Sequence, residues 1–151
     1  IATMIRDIPA DLAELKGEVA EFHTYPEAES WEVNWSLENN SFLAEIGLPA
    51  SAPTMINFES KAITEAEFVC IGFNNYGDRI VILKATGEVV YINHDCDDRI
   101  EYINQDVISL FRCICAYADM MKGDENFAAR VTGIDHKAYD EGSWWKQNAE
   151  E

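Results

Sequence analysis

Basic residues are scarce in this chain: 11 Lys and Arg stand against 28 Asp and Glu, a formal charge of −17. Direct binding to a nucleic-acid backbone needs clustered basic side chains, and so few scattered ones supply no such patch. A free DNA- or RNA-binding role is thereby excluded. Long apolar runs are also missing. None approaches the roughly 18 residues that a membrane span needs, so no membrane is expected as a partner. The start, IATMIRDIPADL, lacks a charged region followed by an apolar one and does not read as a signal peptide.

Cysteine is limited to Cys70, Cys96, Cys113 and Cys115. Cys113 and Cys115 are two apart in a helical pattern, where they cannot bond each other. Such usage predicts reduced, structural thiols and a cytoplasmic setting rather than a disulfide framework. The sequence has no glycine-rich phosphate loop, no paired-histidine zinc helix and no nucleophile elbow. His23, His94 and His136 lie far apart, each in a polar setting, and read as surface or structural histidines. No cofactor, no metal and no catalytic residue is expected, and the chain does not read as an enzyme.

Disorder is excluded by what the chain does contain, 48% hydrophobic and 11% aromatic residues. Its 151 residues predict a single domain spanning 1–151, with a surface acidic enough to steer basic partners. Leu12, Leu15, Val19 and Phe22 recur at helical spacing after Pro9 and Asp11. A second helical stretch runs from about Glu29 to Ile46, with Asn39 and Asn40 as its expected break. Gly47 and Pro49 should end it.

The period then changes. TMINF at 54–58, FVCIGFNN at 68–75, DRIVILK at 78–84, EVVYINH at 88–94 and RIEYIN at 99–104 read as strands. Their short connections require antiparallel neighbours. The middle three are apolar on both faces and should lie centrally, whereas alternating RIEYI suits an edge. Helical spacing returns in Val107, Leu110, Phe111, Ile114, Tyr117, Ala118 and Met121. Ser109, Arg112, Ala116 and Asp119 fall on the opposite side, with Asp106 as N-cap and Gly123 as terminator. A last helical segment covers about Asp135 to Asn148, interrupted near Gly142. The order predicts an α+β fold, an antiparallel meander with N- and C-terminal helices packed on it.

Two groups of residues invite a functional reading. His94, Asp95, Cys96, Asp97 and Asp98 fall between two strands, without the spacing of a calcium or zinc loop. They read as a solvated turn, as part of an acidic partner surface, or as a metal site, in descending order of fit. Asp95, Asp97 and Asp98, with Glu101 on the next strand, are the candidate partner-binding residues. Trp31, Trp35, Trp144 and Trp145 fit helix packing better than binding, although tryptophan is enriched in interface hot spots.

FLAEIGLP at 42–49, TMINF at 54–58, FVCIGF at 68–73, ILKATGEVVYI at 82–92, YINQDVISLFRCICAY at 102–117 and IDHKAYDEGSWW at 134–145 occur in that order. Their order and spacing resemble SUKH-superfamily immunity proteins (Smi/Knr-like), in particular the SUKH-4-type subfamily, over about residues 31–147. The resemblance implies a SUKH-like α+β fold and a non-enzymatic protein that neutralises a polymorphic or contact-dependent toxin. Many such toxins are nucleases, and a basic one suits the charge. Gly47, Leu48, Pro49, Gly72 and Gly87 match motif positions, each with a structural explanation. Other readings are an acidic nucleic-acid mimic, a regulatory interaction scaffold and an uncharacterised enzyme. An exposed sheet edge leaves pairing with a second copy open.

Overall fold

The computed structural model describes residues 21–52 and 56–150. The expected helix around Leu12, Leu15 and Val19, and the start of TMINF, lie outside them. Phe22 is not helical: strand β1, Phe22–His23, pairs antiparallel with β2, Leu48–Pro49.

The stretch from Glu29 to Ile46 is not one helix broken at Asn39 and Asn40. A 3₁₀ turn, Pro26–Trp31, ends where Glu32 adopts a left-handed backbone (φ 58°). Helix α1, Leu37–Glu45, restarts after Ser36, whose hydroxyl accepts from the Glu38 amide. The asparagines sit inside α1 because both have tertiary work. Asn40 accepts from the Trp35 indole at 2.9 Å. Asn39 is fully buried and accepts from the Ile108 amide at 3.2 Å, tying α1 to the start of a later helix. Gly47 ends the element at φ 82°, where a Cβ would collide with the His23 carbonyl.

Among the described residues a five-stranded antiparallel sheet follows in sequence order. Its strands are β3 (Ile56–Thr64), β4 (Phe68–Asn74), β5 (Arg79–Leu83), β6 (Val89–Asn93) and β7 (Arg99–Asn104). The three doubly apolar strands are central and RIEYIN is an edge, as their patterns require. Strand β3 runs further than expected, through Glu59, Ser60 and Lys61, which a shift in its register against β4 accommodates.

Helix α2, Val107–Met121, covers one face of the sheet. Asp106 caps it, accepting from the Ser109 amide at 2.9 Å. Val107, Leu110, Phe111 and Ile114 are fully buried against Val69, Ile71, Ile80 and Ile82. Met121 is not inward, at 63% exposure, and Ser109 and Ala116, expected outside, are buried. The cause is a second layer: α3 (Phe127–Ile134) and α4 (Trp144–Glu150) flank a 3₁₀ turn at His136–Tyr139. Helix α3 packs on α2, covering a side that the period alone assigns to solvent. The expected last helix is therefore two pieces, separated where Gly142 takes φ 78°. On the other sheet face Cys70, Val81, Val90 and Ile92 form a smaller buried cluster. Among the described residues no helix is long and apolar enough to cross a membrane.

Candidate functional site

The β6–β7 connection begins as a single 3₁₀ turn, His94–Cys96, nucleated by Asn93, whose side chain accepts from the Asp95 amide at 3.1 Å. Asp97 and Asp98 follow in left-handed backbone (φ 54° and 55°), a region that Asp enters more readily than most residues. Asp95, Asp97 and Asp98 are all exposed. Glu101 is not placed like them. It is half-buried on β7, accepting from the Tyr91 hydroxyl at 2.6 Å and from the Asn93 amide group at 3.2 Å. The structure thus brings three of the four candidates to a free rim and holds the fourth inside the neighbouring wall.

The turn is anchored from behind by Asp78, which is buried at the start of β5. Its carboxylate accepts from Asn74 Nδ2 at 3.1 Å, from the His94 amide at 3.0 Å, and from the His94 ring. Burial pushes the Asp78 carboxyl up, but these donors outweigh it and hold the group below the usual carboxylate range. The other ring nitrogen of His94 lies 3.2 Å from Asp95. His94 is therefore structural, bridging the β4–β5 turn to the acidic one. Among the described residues, no three His, Cys, Asp or Glu side chains are grouped to hold a metal ion.

Beside this turn lies a groove that the sequence did not disclose. One hollow of about 440 Å³ runs along Arg99, Ile100, Glu101 and Tyr102 of β7. Lys137, Asp140, Trp144 and Gln147 face them. A second, of about 320 Å³, continues past Tyr91, Trp144 and Gln147 to Asn74, Tyr76 and Asp95. Tyr76 and Ile100 are well exposed, at 77% and 55%. Lys137 lies 4.3 Å above the Tyr102 ring, a cation–π contact. The WW pair was the available signal. Adjacent helical positions diverge by about 100°, so Trp145 is fully buried while Trp144 stays partly open on the groove.

A buried polar cluster fixes the far wall. Asp135 accepts from the Tyr102 hydroxyl at 2.8 Å, the Gln105 amide at 2.7 Å and Asn104 Nδ2 at 3.2 Å. The Trp145 indole donates to Asn104 Oδ1 at 2.7 Å. Desolvation and the neighbouring Asp135 carboxylate raise the Tyr102 phenol above its ordinary value. Burial pushes the Cys113 thiol up to about 12, although Asn104 bonds to it. That thiol is inert filling. Cys70 and Cys115 are likewise buried.

Chemically the surface offers aromatic faces, amides and carboxylates around a strand edge, an arrangement suited to recognition. Comparison of the chain with protein-family models, with curated proteins and with solved structures gives no match.

Proposed function

We propose that the chain is a non-enzymatic immunity protein that binds and neutralises a cognate polymorphic or contact-dependent toxin, a basic nuclease. The net charge of −17 carries this reading. Such an excess attracts a basic protein over distance and opposes the phosphate backbone that a nuclease would otherwise hold. The exposed carboxylates of Asp95, Asp97 and Asp98 lie on a turn beside a groove with partly open aromatic walls. Glu101 contributes charge from within that wall. Charged rims with aromatic anchors match how protein interfaces divide steering from affinity.

The resemblance to SUKH immunity proteins supports the same reading. Asn104, Asp135 and Trp145 fall in segments that carry it, and they share one hydrogen-bonded cluster. That cluster gives those segments a joint structural purpose. The test is to read the genes that adjoin this one and co-express the chain with a toxin domain found there; a neighbourhood without one would count against the reading. Growth should be restored and the two proteins should co-purify in fixed stoichiometry. Continued toxicity with no complex would sink the reading.

A further inference from the structure

The groove beside β7 differs from an ordinary surface dimple in being built on a sheet edge. Four consecutive residues, Arg99 to Tyr102, line it. Successive strand side chains point to opposite faces, so a hollow that touches all four opens on the backbone edge itself. Among the described residues strand β7 ends the sheet order, and every second amide and carbonyl of an outer strand points away from its neighbour. Edge strands are commonly blunted by lysine, proline or a covering element. Here the middle of the edge carries Ile100, which is 55% exposed. The opposite wall closes on the strand at Tyr102, where Lys137 covers the ring, and leaves the hollow beside Arg99, Ile100 and Glu101.

We infer that this edge takes an extended, basic segment of the partner as an added strand, its side chains received by the groove. Addition of a strand draws affinity from main-chain hydrogen bonds and specificity from pockets for alternate side chains. The aromatic faces of Tyr91 and Trp144 would receive apolar residues. Asp140, with the acidic turn just upstream, would meet basic ones, since Glu101 is already held by Tyr91 and Asn93 and Glu141 pairs with Lys146 at 2.7 Å. Arg99 and Lys137 do not reverse this sign: Arg99 lies 3.9 Å from Glu101, and Lys137 lies 4.0 Å from Glu88. Charge also decides against a second copy of this chain, which would bring another −17 to the same edge.

The inference deepens the partner-binding reading and rests on it. It is tested with defined peptides of about six residues, a typical strand length, followed by amide NMR on the full chain. A peptide alternating Lys and Val should shift and protect amides within 99–102. Replacing its Lys by Glu, or its central Val by Pro, should abolish the effect. Ile100→Lys should weaken binding at least tenfold, with the circular dichroism of the chain unchanged. Shifts confined to the acidic turn, with the proline peptide binding equally well, would overturn edge addition while leaving toxin neutralisation intact. Absence of any shift would overturn it too. Concentration-dependent shifts at 99–102 without peptide would show a second copy on the edge and refute the basic occupant. Failure to neutralise the toxin, by contrast, is a separate result in a separate assay.

Discussion

Asn104 and Asp135 are the polar side chains on which the C-terminal third hangs, and both are buried. Asn104→Leu would leave the Trp145 indole and Asp135 each short of a partner. Buried unsatisfied groups cost about 1–3 kcal/mol each, so urea denaturation should show a loss of about 2 kcal/mol or more. Two titrations then bracket stability. The Asp78 carboxyl is held below its unfolded value of about 3.9, so its contribution is complete above about pH 4 and drains as pH falls further. Tyr102 runs the other way. Its phenol is raised above about 10, so its contribution is whole below that pH and is lost as pH rises beyond it. Urea midpoints across pH should therefore fall at both ends. Asp78→Asn should lessen the acid fall, which the lowered carboxyls of Asp124 and Glu141 share, and Tyr102→Phe should lessen the alkaline fall, which the raised phenols of Tyr25 and Tyr91 share. Unchanged limbs in these variants would refute the assignments.

Among the elements, α2 carries the core. Phe111 is fully buried, its ring 5.3 Å from that of Phe42 and 6.3 Å from that of Phe22. Phe111→Ala should cost about 3–5 kcal/mol in urea denaturation, while Met121→Ala at the exposed end should change stability by less than about 0.5 kcal/mol. Equal effects would contradict the packing. These positions also show what periodicity can and cannot reveal. Strands β4 to β7 were legible to within one residue at most ends, because apolar runs bounded by Asn, Asp and Gly leave little choice. Which side of α2 meets solvent was not legible, because Ser109 and Ala116 are covered by helices that follow in the chain. Asn39 misled for a related reason: a good helix breaker becomes a good helix residue when Ile108 supplies its partner. At the candidate site the sequence displayed the carboxylates of the turn. It hid the groove, whose walls at 99–102 and 137–147 meet only after folding, and it hid that Glu101 is held by Tyr91 and Asn93.

At the scale of the whole molecule, the proposed function divides the labour of recognition between charge and the edge. On that proposal, the −17 field would set how often a basic partner arrives, and the groove how long it stays. Asp95, Asp97 and Asp98 are the rim charges suited to test this, since asparagine tolerates the left-handed backbone at 97 and 98. The most direct measurement is stopped-flow association with the toxin that the proposed function pairs with this chain, over a salt series. Screening shortens the reach of the field from about 30 Å at 0.01 M salt to about 3 Å at 1 M. The wild-type association rate should therefore fall steeply with salt, and the triple Asn variant should associate at least tenfold more slowly at low salt. The two should converge at high salt with similar dissociation rates. A wild-type rate indifferent to salt, equal to that of the variant throughout, would contradict a partner recruited by this acidic surface.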